Sequence, residues 1–503
     1  MSRIVLTTLN SRYSHTSIAL RYLFANLQEL KDETKILEFV INENIQSIAE
    51  KILDENPLII GIGVYIWNVE DVHDLVEVIK KVSPGTKVVL GGPEAGYLPH
   101  RVDLSGADYI IRGEGDMLFY TLCRSILEGN PPAERILQAP MVETDGISLP
   151  YRYYSDHDIE NRYIYVEASR GCPFLCEFCL SAIDEKVRSF DLQKLLGEFE
   201  TLWQRGARNF KFIDRTFNLN IKTANSLMDF FLSKEPPYFV HFEVVPDHFP
   251  KTLRERIAKF PPGALQLEVG IQTLDPAVAA NINRPLKMEK IKENLHFLET
   301  ETDAHMHVDL IVGLPGETLE GFARNLNELY RLTHCEIQIG ILKKLSGTTL
   351  DRHDRECGMV YSDKPPYDVL ETASVSFKDI QKMKRFSRFW DIIYNSGNFS
   401  GTMGLIDMDD DIFAGFFHLS EWIYTRTAST WKISIERMAK LLFDYLVSQR
   451  SYDKEEVAAV IGSDLAKVKG RAVAAFLKKP GSDTLSGVSN TPAAFNKRQK
   501  RHE

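Results

Sequence analysis

Three cysteines stand close together at a spacing that can hold a metal cluster. They are Cys172, Cys176 and Cys179, in the pattern C-x3-C-x2-C. Three thiolates can ligate three irons of a cubane cluster and leave the fourth iron open to a substrate. The alternative is structural zinc, which prefers four protein ligands, and no fourth Cys or His lies nearby in the sequence. The pattern therefore predicts an iron–sulfur site.

The elements before this segment predict a parallel sheet. Strand patterns at residues 4–9, 35–41, 58–65, 87–90 and 109–111 are separated by amphipathic helical stretches. Such alternation predicts a doubly wound sheet with helices on both faces. Ligands of open sheets bind at the carboxyl ends of the strands. The loops there contain a set of candidate ligand-binding residues, namely His15, Tyr65, Trp67, Asn68, Gly91, Gly92, Gly113 and Glu114.

A second series of strand patterns begins just before the cysteines. It covers residues 163–167, 209–213, 239–244, 265–271, 307–312 and 337–342, with helical patterns between them. Consecutive βα units predict a partial or complete parallel barrel. The active site of such a barrel lies at the carboxyl ends of its strands, and the cysteines follow the first of them.

The remaining segments complete the predicted domain organisation. After residue 349 helical patterns replace the alternation, with an apolar stripe that is typical of core packing. Residues 478–503 are rich in Gly, Ser, Lys and Asn and predict a disordered tail. The predicted segments are an α/β domain at 1–130, a linker at 131–161, a barrel at 162–349, a helical domain at 350–477 and the tail.

Composition narrows the function classes. The chain has 503 residues, of which 44% are hydrophobic and 26% charged, and no apolar run has the length of a membrane helix. A formal charge of -10 argues against bulk nucleic-acid binding. Six cysteines, three of them clustered, are unlike a secreted disulfide framework. We expect a cytoplasmic protein, not bound to a membrane, in which Cys123, Cys335 and Cys357 are structural.

The cysteine segment resembles that of the radical S-adenosylmethionine (SAM) superfamily, as does the segment Leu310-Ile311-Val312-Gly313-Leu314-Pro315-Gly316-Glu317-Thr318. The resemblance implies a partial (βα)6 barrel with a 4Fe–4S cluster on the three cysteines. It implies that the open iron binds SAM and that an electron, from a donor such as flavodoxin or ferredoxin, cleaves SAM to methionine and a 5′-deoxyadenosyl radical. The residues that it assigns to SAM are Phe178, Asp214, Glu243, Gln272, Ile311 and Gly313.

Some of these assignments have structural alternatives. Asp214 follows the second barrel strand, where the superfamily places a group for the SAM ammonium, but an Asp at a strand end is also a common helix cap. Glu243, Glu268 and Gln272 lie on or after the third and fourth strands, where they either bind ligand or satisfy one another.

The order of the domains resembles the cobalamin-binding class of radical SAM proteins. The loops Gly91-Gly92-Pro93-Glu94 and Arg112-Gly113-Glu114-Gly115 are typical of that class, and the helical remainder resembles an uncharacterised domain of one bacterial subfamily. The chain has no suitably placed D-x-H-x-x-G motif to ligate cobalt. Cobalamin binding would then rely on packing and backbone contacts; His15 is either a ligand or a hydrogen-bonded side chain.

Three functional hypotheses follow from these patterns and resemblances. The first is a radical SAM enzyme that uses cobalamin on an unknown substrate, with methyl transfer as one outcome. The second keeps SAM cleavage without cobalamin and lets the amino-terminal domain bind the substrate. The third is a non-catalytic module that binds a metal or corrinoid, for which the segment at residues 310–318 would have no purpose.

Overall fold

A computed structural model describes residues 3–467, so the predicted tail at 478–503 lies outside the described residues. The chain divides into two compact units. The first comprises the chain up to Glu243 together with Lys343–Arg352 and Tyr361–Asp368. The second comprises Val244–Leu342, His353–Val360 and the chain from Val369 onward.

The first unit begins with a six-stranded parallel sheet of order β2-β1-β3-β4-β5-β6. Its strands are β1 Ile4–Asn10, β2 Thr34–Val40, β3 Ile59–Gly63, β4 Lys87–Gly91, β5 Tyr109–Arg112 and β6 Ile136–Gln138. Four helices connect them: α1 Ile18–Ala25, α2 Ile45–Leu53, α3 Val69–Val82 and α4 Gly115–Leu127. This is the predicted doubly wound sheet. Strand β6, which extends it, falls within the segment predicted to be a linker.

Both faces of this sheet are covered because its strands are apolar on both sides. All seven residues of β1 are buried, and alternate residues face different cores. Val5 packs in a core with residues of α2 and α3, whereas Ile4 and Leu6 pack in a second core with residues of α1 and α4. Because helices cover both faces, the loops at the carboxyl ends of the strands are where a ligand can bind.

The first unit continues with the start of the second strand series. Helix α5 Asp156–Asn161 precedes β7 Ile164–Val166, and a short antiparallel pair, β8 Ser169–Arg170 and β9 Arg188–Ser189, follows it. Next come α6 Leu192–Gln204, β10 Asn209–Phe212, α7 Ile221–Leu232 and β11 Phe239–Val244. Strand β10 pairs in parallel with β7 and with β11. These strands match the first three predicted barrel strands.

The second unit contains the remaining parallel strands. They are β12 Leu265–Gln272, β13 His305–Val312 and β14 Glu336–Ile341, and β13 pairs in parallel with both others. The helices around them are α8 Lys251–Ile257, α9 Pro276–Asn281, α10 Met288–Glu301 and α11 Leu319–Leu332. In β12 and β13 every second residue is buried, as expected for strands with one apolar and one polar face.

The carboxyl-terminal part is mainly helical, as predicted. After the short α12 His353–Glu356, β15 Val360–Tyr361 and β16 Val369–Glu371 come α13 Phe377–Ile393, α14 Ser400–Ile406, α15 Ile412–Thr427, α16 Ile435–Ser448 and α17 Lys454–Ala466. The predicted apolar stripe lies on α13 and is fully buried; it consists of Ile380, Met383, Phe386, Trp390 and Ile393. Asn395, just after α13, bonds to both the N–H and the C=O of Ile337 in β14. No described helix is long and apolar enough to cross a membrane.

Candidate cluster and cofactor sites

The three cysteines lie on one loop that is closed at its base. The loop joins β8 to β9, and the Cys172 N–H donates to the Asp184 carbonyl at 2.9 Å. Gly171 has a φ of 88°, and a Cβ on it would stand 2.5 Å from the Lys186 carbonyl oxygen. Only glycine permits this close approach. Backbone geometry therefore fixes the point where the cysteine loop begins.

The donor set of this loop fits an iron–sulfur cluster. Cys172 and Cys176 are buried and Cys179 is half-buried, so the thiols are largely shielded from water. Cys123 lies apart from the loop, on the buried face of α4, where burial raises the pKa of its thiol. Three thiolates without a fourth Cys or His in the loop suit a cubane with one open iron better than a closed zinc site. Phe178, on the same loop, is half-buried.

Asp214 holds the segment that leads into the cysteine loop. Its carboxylate accepts hydrogen bonds from the Ala168 N–H at 2.8 Å and from the Ser169 hydroxyl at 2.7 Å. Burial raises the pKa of Asp214 to about 7, although these hydrogen bonds act in the opposite direction. Asp214 is therefore not a helix cap. It ties the end of β10 to the segment that follows β7.

Glu243, at the end of β11, is paired within the first unit. Both of its carboxylate oxygens lie 2.7 Å from the Arg215 guanidinium, which follows β10. Both contacts come from the same guanidinium nitrogen of Arg215, so the pair restrains the Glu243 carboxylate between its two oxygens. A role of Glu243 toward SAM stays a prediction, and it would have to operate with Arg215 in place.

The predicted SAM residues of the second unit lie near the carboxyl ends of β12 and β13. Gln272 and Ile311 line a polar cavity of about 500 Å³, together with Glu268 and Asp309. Gln272 has a φ of 72° where the register between β12 and β13 shifts. A non-glycine residue in this region is uncommon and often marks a ligand site.

Gly313 turns the chain after β13. Its φ is 85°, and a Cβ on it would stand 2.7 Å from a side-chain atom of Val369. Its N–H donates to Glu317 at 2.9 Å. Burial raises the pKa of Glu317 to about 8, so this carboxyl group is mostly protonated at neutral pH. Gly313 and Glu317 together hold the loop of the resemblance motif in shape.

A second cavity lies at the carboxyl ends of β3, β4 and β5 in the first unit. Its volume is about 300 Å³ and its lining is mostly apolar. It contains five of the residues predicted for cobalamin, namely Tyr65, Gly91, Gly92, Gly113 and Glu114. Gly92 has a φ of 104°, and a Cβ there would collide with the Val64 carbonyl oxygen at 2.6 Å. A cavity at the lower end of ligand-pocket sizes fits part of a large cofactor.

The other three residues predicted for cobalamin do not line this cavity. The Asn68 side chain is buried and bonds to the Tyr65 N–H and to the carbonyls of Leu9 and Gly63, which holds the ends of β1 and β3 together. Trp67 stacks on Tyr65 with ring centroids 4.5 Å apart. We conclude that both residues support the cavity wall from outside it.

His15 is also not among the residues that line the cavity. Its ring stacks on Tyr165, and its Nδ1 contacts the Tyr165 hydroxyl. Burial, with a contribution from the Lys211 cation, lowers the pKa of His15 to about 4, so the imidazole is neutral at physiological pH. The geometry agrees with the hydrogen-bonded alternative for His15.

Comparison with known families assigns these domains. Residues 4–122 match the family model of the B12 binding domain, and residues 166–329 match that of the radical SAM superfamily. Residues 355–497 match a family described as a protein of unknown function, DUF4080. The chain is a radical SAM enzyme with a B12-binding domain. The domains imply a 4Fe–4S cluster, SAM and cobalamin, for which the cysteine loop and the glycine-lined cavity supply suitable sites.

Solved structures share the fold of this radical SAM enzyme. The cobalamin-dependent SAM radical enzyme OxsB with aqua-cobalamin and SAM bound aligns at a TM-score of 0.60 and 13% identity, over 92% of this chain and 78% of that one. The radical SAM methyltransferase TsrM from Kitasatospora setae with cobalamin and its cluster bound aligns at a TM-score of 0.57 and 18% identity, over 73% and 82%.

Curated relatives include methyltransferases. An uncharacterized methyltransferase of Pyrococcus horikoshii is 24% identical over 66% of this chain and 77% of its own length. The 2-(S-pantetheinyl)-carbapenam-3-carboxylate methyltransferase of Streptantibioticus cattleyicolor is 24% identical over 59% of this chain and 48% of its own length. The chain thus spans only about half of the latter relative.

Two arginines that sequence reasoning missed join the cysteine loop to the B12-binding domain. Arg170 donates to both oxygens of Asp116 at 2.9 and 3.1 Å and to Glu167 at 3.0 Å. Arg188 donates to both oxygens of Glu114 at 2.9 and 2.6 Å. Burial raises the pKa of Glu167, and the positive charge of Arg170 partly offsets this increase. The only sequence signal was the position of Arg170, two residues before Cys172.

A later segment of the chain returns to the first unit and contacts both sites. The Tyr367 hydroxyl donates to Glu94 at 2.5 Å, in the loop that follows Gly92. Arg352 donates to Glu177 of the cysteine loop at 2.8 Å. We call residues 343–352 and 361–368 the return segment. It contacts the cysteine loop, as the two arginines do, and the loop after β4, whereas the arginines reach the loop after β5.

Proposed function

We propose that this enzyme is a cobalamin-dependent radical SAM methyltransferase. One observation carries the proposal: Arg170, two residues before the first cluster cysteine, also lines the glycine-walled cavity of the B12-binding domain. A methyl group moves only between atoms that come near contact, so the two cofactors need adjacent binding sites. Adjacency of the cysteine loop to this cavity supports a shared reaction space.

The residues around the cavity have distinct roles in this proposal. Gly91, Gly92 and Gly113 form part of the cavity wall, and without a Cβ the last two can turn close to Val64 and Ala139. Glu114 is held by Arg188 and also accepts the Val142 N–H at 2.8 Å, so its loop is rigid. A rigid loop suits a cofactor that must be held at a fixed distance from a second one.

The cysteine loop supplies the other half of the site. When bound, the cluster supplies the electron for SAM cleavage and cobalamin supplies a carrier for a methyl group. Cys172, Cys176 and Cys179 would ligate iron, and Asp214 would orient the preceding segment. Burial of two of the three sulfurs keeps water from the cluster. SAM contacts of Phe178, Glu243, Gln272, Ile311 and Gly313 remain part of the proposal.

The names of the relatives favour methyl transfer over other radical chemistry. The Pyrococcus horikoshii and Streptantibioticus cattleyicolor relatives and TsrM are all described as methyltransferases. The TsrM structure with bound tryptophan has an amino acid as its substrate. For this chain, the acceptor of the methyl group is unknown.

The proposal includes an electron donor and a compartment. The cluster needs a one-electron reductant, and ferredoxin or flavodoxin is the class of protein that would supply it. No disulfide joins any of the six cysteines, all of which lie among the described residues. Cysteines without disulfides and an oxygen-sensitive cluster suit the reducing cytoplasm.

The test is product analysis after anaerobic reconstitution. The full chain, loaded with iron, sulfide and hydroxocobalamin, is incubated with SAM and a chemical reductant in a bacterial metabolite extract. We expect 5′-deoxyadenosine together with S-adenosylhomocysteine, and transfer of label from methyl-labelled SAM to a product. The Cys172→Ala protein and an incubation without cobalamin are the matched controls.

Each alternative has its own result. Formation of 5′-deoxyadenosine at the same rate without cobalamin, and without S-adenosylhomocysteine, would favour a radical SAM enzyme whose amino-terminal domain binds the substrate. An intact cluster that never cleaves SAM, with any reductant, would favour the non-catalytic module.

A further inference from the structure

Two histidines and a glutamate of the second unit converge near the start of β13 and β14. The Nε2 atoms of His305 and His307 lie 3.1 Å apart. The Nε2 of His305 is 3.2 Å from one oxygen of Glu336, and that of His307 is 3.3 Å from the other. His305 and His307 are two residues apart on one strand and therefore point to the same face. Glu336 pairs with His307 in the register of β14.

The separations of these atoms match the edges of a metal coordination polyhedron. Bonds of about 2.0–2.1 Å from zinc to nitrogen and oxygen, at tetrahedral angles, place neighbouring ligand atoms about 3.3 Å apart. The two Nε2 atoms lie 3.1 Å apart, and each imidazole has its own carboxylate oxygen near that separation, Oε1 at 3.2 Å from His305 and Oε2 at 3.3 Å from His307. One ligand atom from each of the three side chains can be chosen so that all lie within 4.8 Å of one another. A rotation of the carboxylate would bring one of its oxygens close to both imidazoles, so that one metal ion could bind all three side chains.

The side chains of His305, His307 and Glu336 are mostly buried, unlike a chance group of polar residues on the surface. The Glu336 side chain is 1% exposed, and those of His305 and His307 are 11% and 17% exposed. A buried carboxylate needs compensation by a cation or by strong donors. Three lone-pair-bearing groups that converge in such a place are what a divalent cation requires.

The surroundings of His307 include groups that can orient its ring. Its Nδ1 lies 3.1 Å from the Gln266 side-chain amide and 3.2 Å from that of Gln338. A histidine that binds metal through Nε2 carries a proton on Nδ1 and donates it to a neighbouring acceptor. The amide oxygen of either glutamine becomes that acceptor when the amide group turns over.

His305 and His307 lie at the opposite end of β13 from the loop that begins at Gly313. His307 precedes Val312, the last residue of β13, by five positions, which is roughly 17 Å along a strand. The cluster therefore lies toward the amino-terminal end of the strand, and Gly313 follows its carboxyl end. Gln338, which contacts His307, also lines the polar cavity that contains Gln272.

We propose that His305, His307 and Glu336 form a mononuclear site for a divalent transition-metal ion, with zinc as the ion that fits best. Two imidazoles and one carboxylate are a common zinc donor set, and a water molecule would complete the tetrahedron. The site uses none of the cluster cysteines and cross-links β13 and β14 at their amino-terminal ends.

The test measures zinc binding by full-length protein whose cluster is already assembled, so that iron occupies the cysteines. Zn²⁺ alone is titrated against a chromophoric chelator under anaerobic conditions. We expect one Zn²⁺ per chain, and an affinity at least about 100-fold lower in the His305→Gln, His307→Asn protein. With Co²⁺ as a probe, the spectrum should show nitrogen and oxygen ligands and no thiolate charge-transfer band.

A matched control is available on the surface. His334 is 89% exposed and lies 3.2 Å from Glu299, so His334→Gln removes a histidine beside a carboxylate outside the cluster. Its zinc affinity should equal that of the unsubstituted protein. An equal loss in the His334→Gln protein, full binding by the double variant, or a thiolate band with Co²⁺ would overturn the proposal.

The design also covers a variant that fails to fold. Iron content per chain and thermal unfolding without added metal report on folding independently of zinc. If the double variant loses its iron, the single variant Glu336→Gln, which keeps the size of the side chain, replaces it. Zinc should raise the melting temperature of the unsubstituted protein and leave that of Glu336→Gln unchanged; equal increases would refute the site.

Discussion

Replacing Arg170 should damage the first unit far more than replacing an exposed arginine. Arg170 makes three charge-assisted hydrogen bonds, and its side chain is 14% exposed, against 8% for Asp116 and 7% for Glu167. In Arg170→Met the two carboxylates would stay buried without their cation. Loss of one partner from a buried ion pair costs about 3–5 kcal/mol, because the desolvated charge is left uncompensated.

The matched control is Arg3→Met. Arg3 pairs with Glu33 at 2.9 Å, but the two side chains are 44% and 39% exposed. Water and salt screen such pairs, which contribute about 0–1 kcal/mol. The two substitutions therefore remove the same chemical group and differ in the burial of the partners.

The assay is anaerobic urea unfolding followed by the visible absorbance of the cluster. That signal reports on the cysteine loop and so on the first unit. At an unchanged dependence on urea, the shift in midpoint gives the difference in the free energy of unfolding. A double-mutant cycle with Asp116→Asn isolates the pair, and we expect a coupling energy of about 1–3 kcal/mol. An Arg170→Met midpoint within error of the Arg3→Met midpoint would refute the reasoning.

Three further predictions concern single side chains. Cys172→Ala should lose the visible and paramagnetic signals of the cluster, whereas Cys123→Ala should keep them; a full cluster in Cys172→Ala would contradict the ligand assignment. Asp214→Asn should weaken SAM binding, measured by equilibrium dialysis, with iron content unchanged. An unchanged affinity for SAM would contradict a role in SAM binding and leave Asp214 with a structural role, through its hydrogen bonds to Ala168 and Ser169. The folded-state pKa of Glu317 is about 8, above its usual value, so its stabilising contribution is full at low pH and is lost as pH rises toward 8. Glu317→Gln should remove this loss, which urea unfolding would detect as a flatter pH profile, by up to about 1.4 kcal/mol per pH unit; parallel profiles would contradict it.

Much of the fold could be predicted because hydrophobic periodicity is a local property. The second strand series begins and ends within two residues of the predicted bounds, since runs of β-branched and aromatic residues end at polar loops. The cysteine site was equally accessible, because a cluster imposes a fixed spacing on its ligands. Glycines with a positive φ, such as Gly92 and Gly113, indicated the cavity loops for a similar local reason.

Long-range polar contacts could not be predicted in the same way. The pairing of Arg170 with Asp116 joins residues that are 54 positions apart, and no periodicity encodes it. Asn68 was assigned to a ligand because it follows a strand, yet its amide bonds to the backbone of two strand ends. Strand β6 has only three residues, of which two are exposed and none is buried, so the sequence shows no apolar pattern that would indicate a strand.

The return segment has a consequence for how the protein can be made and dissected. The bond between Glu94 and Tyr367 spans 273 residues, so it forms only after most of the chain has left the ribosome. During synthesis the sheet that contains Glu94 is complete before Tyr367 has been made. Until then the Glu94 carboxylate lacks the hydrogen bond that Tyr367 later donates. A recombinant fragment that ends after β14 would lack the brace altogether. Expression trials of the B12-binding and cluster regions should therefore extend beyond Asp368.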